Sequence, residues 1–162
     1  MAEEKIQVQM NIERIYLKDA SFESPGAPSI FTEQVRPEMK VDINTRVNSL
    51  GDSRHEVVLS ATVSATRDAD RVAYIAEVHQ AGIFVIKGVE GNNAAPVLGV
   101  HCPNALFPYL RESIDSLITK GGFPPLVLAP VNFEILFAEA LQQQQEQQKQ
   151  QAQETQPTPK TH

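Results

Sequence analysis

The first residues to test for chemistry are a histidine and a cysteine that are adjacent in the chain, His101 and Cys102. A thiol becomes a nucleophile when a nearby base takes its proton, so this pair raises the hypothesis of a small cysteine-dependent hydrolase. Neighbouring residues at a helix start rarely face each other, however, and no third group is placed in the sequence to orient the histidine. The alternative interpretation of Cys102 is a small apolar residue near a helix N-terminus.

The other reactive side chains do not combine into a site. The four histidines have no metal-ligand spacing, and a single cysteine cannot complete a structural zinc site. The turn-rich segment 88–93 lacks the lysine and the Ser/Thr of a phosphate-binding loop. Asp19, Glu23 and Glu77 have the chemistry of general acids, but acidic residues on or beside strands are usually only solvated. We therefore expect no metal, no cofactor and no enzymatic activity.

Composition limits the classes of function. The chain has 162 residues, 41% of them hydrophobic, which is enough for one globular core. Its formal net charge of −6 disfavours nucleic-acid binding, which depends on cationic side chains, and favours a basic partner. The N-terminus lacks the pattern of a signal peptide, and no apolar run is long enough to cross a bilayer. We expect a soluble, cytoplasmic protein without membrane insertion.

The first half of the chain shows the alternation of apolar and polar residues that is typical of half-buried strands. Strands are predicted over residues 8–17, 41–47, 57–65 and 72–79, and the alternation in the first slips near Arg14, which indicates a bulge. The connections between the later strands are short, so the sheet is predicted to be mainly antiparallel.

Two amphipathic helices are predicted after the strands. The first has apolar residues at helical spacing over 106–118, could open at Pro103 or Pro108, and stops at Gly121-Gly122. The second has Asn132 as its N-cap. The connector 123–130 is unusually apolar, so it either packs against the core or forms an exposed interaction surface. This order predicts an α+β fold, a four-stranded antiparallel sheet followed by two helices.

The composition changes abruptly at Gln142. Residues 142–162 are rich in glutamine and have no apolar surface to bury, so we predict a tail that is mobile beyond its first turn or two. The predicted organisation is a globular domain over residues 1–141 and a C-terminal tail over residues 142–162. The simplest function of such a tail is to keep the protein soluble.

Four segments together resemble the SecB protein-export chaperones of bacteria. They are IERIYLKDASFESP at 12–25, EVHQAGIF at 77–84, CPNALFPY at 102–109 and GFPPLVLAPVNF at 122–133. The resemblance spans about residues 8–141 in the family's order and leaves out the tail. His79 and Ala81 depart from it, since the family pattern has Gln and Gly there.

The resemblance implies a function that composition alone does not reveal. It implies a homotetramer, built as a dimer of dimers, that binds unfolded secretory precursor proteins without ATP, keeps them competent for translocation and passes them to the SecA motor. The competing hypotheses are the hydrolase that uses Cys102 and a passive oligomeric scaffold. Failure to bind unfolded chains would favour the scaffold.

The resemblance also assigns residues to three surfaces. The client-binding grooves correspond to Phe22, Ile30, Phe31, Val35, Phe123, Leu126, Val127, Leu128, Phe133 and Phe137. The acidic face for SecA corresponds to Asp19, Glu23, Ile75 and Glu77. The assembly contacts correspond to Ala76, Val78 and Gln80.

Overall fold

A computed structural model describes residues 7–34, 36–68 and 70–154. The strands are β1 (Gln9–Glu23), β2 (Glu38–Gly51), β3 (Arg54–Thr66) and β4 (Val72–Lys87), and the α-helices are α1 (Cys102–Lys120) and α2 (Phe133–Glu154). Short 3-10 turns occur at Ser29–Thr32 and Gly91–Ala94, and a π-helical turn, Val97–His101, leads directly into α1. Of the helices described, none combines the length and apolar character needed to cross a membrane.

The four strands form one antiparallel sheet in the order β1-β4-β3-β2. The predicted α+β fold is therefore confirmed, with β3 and β4 in the centre and β1 and β2 at the edges. Tight turns explain why β2 lies beside β3 and why β3 lies beside β4. The pairing of β1 with β4 joins distant parts of the chain and is not apparent from the sequence pattern.

Alternation along the strands gives the sheet two different faces. Helix α1 covers the inner face. The residues of β3 on this face have no exposed surface, and they are Val57, Leu59, Ala61, Val63 and Ala65. The outer face carries on the same strand Ser60, Thr62, Ser64 and Thr66, all partly exposed.

Two bulges in β1 decide which of its side chains reach each face. The predicted bulge near Arg14 is confirmed by a register shift between Ile12 and Arg14. A second shift, between Leu17 and Asp19, was not predicted. Each extra residue reverses the alternation, so Leu17 lies on the inner face while Asp19 lies opposite His79 on the outer face.

Helix α1 fills the inner side of the sheet with one apolar stripe. Leu106, Leu110, Ile114 and Ile118 recur at helical spacing and have no exposed surface. Pro103 lies in the first turn, where a missing N–H costs nothing, and so opens the helix, whereas Pro108 lies inside it.

Helix α2 begins where the sequence predicts. The Ile135 N–H donates to the Asn132 side-chain oxygen at 3.2 Å, which confirms the N-cap. The helix then continues to Glu154, well into the glutamine-rich segment that the composition predicts to be mobile beyond its first turn or two. Glutamine has a good intrinsic helix propensity, which explains how a segment without an apolar face extends a helix that is already formed. Residues 155–162 of the predicted tail lie outside the described residues.

Candidate binding surfaces

Four aromatic rings from four separate segments meet beyond the C-terminal end of α1. We call Phe22, Phe31, Tyr74 and Phe123 the aromatic cluster. Phe123 is its centre, with ring centroids 4.6 Å from Tyr74, 5.1 Å from Phe31 and 6.3 Å from Phe22. Phe22 also stacks on Tyr74 at 5.7 Å. The edge strand β1, the 3-10 turn, β4 and the connector between the helices are thereby joined at one point.

The glycine pair after α1 makes this meeting possible. A Cβ on Gly121 would lie 2.1 Å from the ring of Phe22, so only glycine allows β1 and the end of α1 to approach so closely. Gly122 has φ +86°, and the N–H of Phe123 donates to the Ile118 carbonyl at 3.2 Å. This left-handed residue ends the helix and turns the connector back over the sheet.

A groove of about 610 Å³ lies beside the aromatic cluster. Its apolar walls include Ile30, Phe31, Met39, Ala73, Tyr74, Phe123, Pro125 and Leu126. Phe31 remains 51% exposed, so one face of its ring is open to a ligand. The groove therefore presents apolar surface to solvent.

Ion pairs fix the loop that forms one wall of this groove. The guanidinium of Arg67, whose side chain is 2% exposed, pairs with Glu33. Arg71 lies 3.5 Å from the same carboxylate and 2.7 Å from Asp68. Because Glu33 closely follows the turn that carries Phe31, these pairs attach the loop to the hairpin between β3 and β4.

The predicted groove residues fall into two groups. Five of them, Phe22, Ile30, Phe31, Phe123 and Leu126, lie in the aromatic cluster or line the groove. Tyr74 and Met39 also line it, and neither is among the predicted groove residues. Tyr74 lies in an ordinary predicted strand, and Met39 precedes the predicted strand 41–47. The hydroxyl of Tyr74 donates to the Met39 sulfur at 3.7 Å, and burial raises the pKa of that hydroxyl.

The remaining groove predictions need correction or lie elsewhere. Leu128 and Phe133 are only 4% and 2% exposed, so they belong to the core and offer no surface to a ligand. Phe137 packs on Gly99, where an added Cβ would lie 2.3 Å from its ring. Val127 is 72% exposed but does not line the groove. Val35 lies outside the described residues.

The outer face brings together residues that are far apart in the chain. Glu23 of β1 lies opposite Ile75 of β4, Ser21 opposite Glu77, and Asp19 opposite His79. We call Asp19, Glu23, Ile75 and Glu77 the acidic face. Ile75 and Glu23 form one end row of this surface, and Glu77 and Asp19 lie in the next two rows. The three carboxylates suit a basic partner that makes an apolar contact at one end.

A hydrogen-bond network holds the adjoining part of the outer face. The Glu56 carboxylate of β3 accepts bonds from Lys18 at 2.8 Å, from Asn48 at 3.0 Å and from the Tyr16 hydroxyl. These bonds, that of Lys18 first, lower the pKa of Glu56 to about 2. Burial, together with this carboxylate, raises the pKa of Tyr16 to about 12. The network connects β1, β2 and β3 across the sheet, with β4 lying between β1 and β3.

Comparison with known proteins decides the family. The family model described as "Preprotein translocase subunit SecB" matches residues 3–144, most of the chain. The chain belongs to the SecB family. A protein-export protein SecB from Marinobacter nauticus is 49% identical over 143 residues, covering 88% of this chain and 86% of the relative. Another, from Stenotrophomonas maltophilia, is 51% identical over 134 residues, covering 83% and 77%.

The fold agrees with this assignment. A SecB-like chaperone of Mycobacterium tuberculosis, solved in complex with an antitoxin peptide, superposes with a TM-score of 0.60. The sequence identity is 20%, and the match covers 75% of this chain and 90% of that one. The resemblance drawn from the four sequence segments is thereby confirmed, and the chain is a protein-export chaperone.

The hydrolase hypothesis is not supported. SecB is not an enzyme family, and Cys102 has no exposed surface. Burial raises the pKa of its thiol to about 12, and its sulfur lies 3.6 Å from that of Met10, while His101 is exposed. A thiol held protonated in this way cannot act as a nucleophile near neutral pH. Within the described part of the chain, no group of three or more His, Cys, Asp or Glu side chains could hold a metal ion.

The predicted assembly residues of this SecB chain lie on the inner face. Ala76 and Val78 have no exposed surface, and Gln80 is 4% exposed. The Gln80 side chain donates to the Tyr16 carbonyl at 3.1 Å and accepts from the Ser113 hydroxyl at 3.4 Å, so it connects β1 to α1. Gln80 therefore supports the packing of α1 and β1 within this chain, and Ala76 and Val78 offer no surface for direct contact with another subunit.

Proposed function

We propose that this SecB chain binds extended apolar segments of unfolded secretory precursor proteins in the groove beside the aromatic cluster. It keeps them competent for translocation without ATP and passes them to SecA in the cytoplasm. The observation that supports this most is the open groove itself, with its half-exposed Phe31. A preformed apolar groove gains about 25 cal/mol for each Å² it buries, largely independently of the client's sequence.

A homotetramer, built as a dimer of dimers, would raise the affinity further. One client segment bound to one subunit raises the effective concentration of the next segment at a neighbouring groove. Folded proteins do not present several extended apolar segments at once, so linked grooves select unfolded chains.

Exposed apolar side chains on the edge strands support such an assembly. Ile12 and Leu17 of β1 are 46% and 53% exposed, and Val41 and Val47 of β2 are 40% and 38% exposed. Their register places them on the inner face, to either side of α1. Burying this surface against other copies would remove it from water, as the interfaces of stable oligomers do. Static light scattering should give a mass of four chains, and a stable monomer at micromolar concentration would contradict the proposal.

The groove assignment is tested with the double variant Phe31→Ala/Leu126→Ala. Both side chains line the groove and neither is fully buried, so the affinity for a reduced, unfolded precursor should fall about tenfold while the protein stays folded. Fluorescence anisotropy of a labelled precursor measures the affinity. Val127→Ala is the matched control, because this neighbouring residue is more exposed and does not line the groove. Equal effects of the double variant and the control would contradict the groove assignment, and no precursor binding at all would favour a passive scaffold.

The SecA contact is tested with Glu77→Lys. Reversing one charge on the acidic face should weaken SecA binding about tenfold and leave precursor binding unchanged, because the groove lies on the other side of the sheet. Glu90→Lys makes the same charge change in an exposed loop outside the sheet and should leave SecA affinity nearly unaltered. Titrations at rising salt should weaken the native interaction. Loss of both activities in Glu77→Lys would instead mean that Glu77 supports the fold.

A further inference from the structure

His79 occupies the middle of the outer face, where this chain departs from the SecB pattern. It lies on β4, opposite Asp19 on β1 and opposite Ser60 on β3. Its Nε2 lies 2.6 Å from Glu77 Oε1, and its Nδ1 lies 3.0 Å from Ser60 Oγ. The imidazole is 26% exposed, so it is held on both sides and still in contact with solvent.

Both hydrogen bonds of the ring survive a change in its charge. In the neutral ring one nitrogen donates and the other accepts, and an ionised carboxylate only accepts. Nε2–H therefore donates to Glu77, while Nδ1 accepts from the Ser60 hydroxyl. When the ring takes up a proton, Nδ1–H donates instead, and the Ser60 hydroxyl rotates to accept it. Protonation thus changes the charge of the outer face without breaking a contact.

The charges that surround His79 are mostly acidic on the side of the predicted SecA contact. Glu77 precedes it on β4, and Asp19 faces it from β1. Lys18 of β1 is paired with Glu56, whose carboxylate also accepts the Tyr16 hydroxyl. On β2, beyond β3, the charged residues of the neighbouring rows are Asp42 and Arg46. Among the described residues, no element covers this face.

We propose that His79 controls the charge of the acidic face, so that a basic partner binds more weakly when this imidazole is protonated. This inference rests on the proposed docking of SecA to that face. An imidazole changes charge between about pH 5 and pH 8, whereas exposed carboxylates stay ionised over that range. Protonation adds one positive charge next to Glu77 and Asp19 and engages the Glu77 carboxylate in an ion pair. The partner then meets a less acidic surface.

The Ser60–His79–Glu77 arrangement also has the order of a catalytic relay, but its surroundings do not fit one. Ser60 lies in a central strand that is hydrogen-bonded on both sides, to β2 and to β4. Its neighbouring backbone N–H groups belong to those ladders, so they cannot serve as the donors that stabilise an oxyanion. A charge-setting role uses the same three side chains without requiring such donors.

The test compares SecA affinity at about pH 7.5 and about pH 5.5 in the wild type and in His79→Gln. An uncharged amide can keep both hydrogen bonds, since its NH₂ can donate to Glu77 and its oxygen can accept from Ser60. The wild type should lose about three- to fivefold more affinity at the lower pH than the variant, the size expected for one exposed charge. His101→Gln, which removes an exposed histidine at the start of α1, should behave as the wild type does.

A second measurement detects the proton itself. If a partner binds the protein better when the His79 ring is neutral, thermodynamic linkage requires that binding releases the proton from protonated His79. Calorimetry at about pH 6.5, in two buffers of different ionisation enthalpy, should show proton release for the wild type that is lost in His79→Gln. Ring nitrogen NMR of free protein at about pH 8 should show the proton on Nε2.

The outcomes separate this inference from the proposed function. Absence of SecA binding at either pH would overturn the docking proposal and this inference with it. SecA binding with the same pH dependence and the same proton release in wild type and His79→Gln would overturn this inference alone. A ring proton on Nδ1 in the free protein would contradict the hydrogen-bond arrangement from which it is argued.

Discussion

The two faces of the sheet are made of alternate residues of the same strands, yet different forces hold them. On the inner face, Leu59 and Phe84 have no exposed surface, and their contribution is the removal of apolar area from water. On the outer face, Glu56 gathers hydrogen bonds from Tyr16, Lys18 and Asn48, and the side chains remain partly solvated. Stability is therefore concentrated on one face, which leaves the other free to present charge to a partner.

The largest expected effect comes from the inner face. Phe84→Ala should lower the free energy of unfolding by about 3–5 kcal/mol, because it opens a cavity that the surrounding strands and α1 cannot close. On the outer face Thr62→Val, which removes one partly exposed hydroxyl, should change it by less than about 0.5 kcal/mol. Urea unfolding followed by circular dichroism measures both. Similar losses in the two variants would break the comparison between the faces.

A smaller effect, which depends on pH, is expected on the outer face. The pKa of Glu56 is lowered to about 2 in the folded protein, so its contribution is present above the unfolded value and is lost as pH falls through about 2. Glu56→Gln should lower stability by about 1 kcal/mol near neutral pH, since solvent partly screens the bonds. Below about pH 4.5 the difference between variant and wild type should shrink. Urea unfolding midpoints of both proteins across this pH range measure the difference in stability. If that difference does not change with pH, the charge of Glu56 does not contribute to stability.

The smallest effect is expected where the chain belongs to neither face. Residues 146–152 of α2 are exposed along their whole length, and the segment that truncation after Gln145 removes is almost entirely polar in sequence. The melting temperature and the mass by light scattering should be unchanged. If the tail is a second contact to SecA, its loss lowers SecA affinity through effective concentration, with the acidic face still bound. Unchanged affinity across a salt series would leave the tail only a solubilising function.

The sequence determined much of the local structure. Alternation identified four strands, helical periodicity identified α1, and the glycine pair at 121–122 and Asn132 set the boundaries of the helices. Each of these signals works through neighbours a few residues apart, which is why one chain suffices to read them. The four segments that resemble SecB added the family, which later comparison confirmed.

Only the tertiary structure decided which of these elements meet. Pairing of β1 with β4, together with a second bulge in β1, places Asp19 beside His79, residues that are far apart in the chain. The same pairing brings Tyr74 against Phe22. The sequence leaves open whether the connector 123–130 packs down or is exposed, and the structure shows both, with Leu128 in the core and Val127 exposed. Strand order and ring contacts depend on long-range packing. Several arrangements of the same strands and helices are compatible with one local sequence pattern, and they differ only in the apolar surface that they bury and in the polar groups that they satisfy.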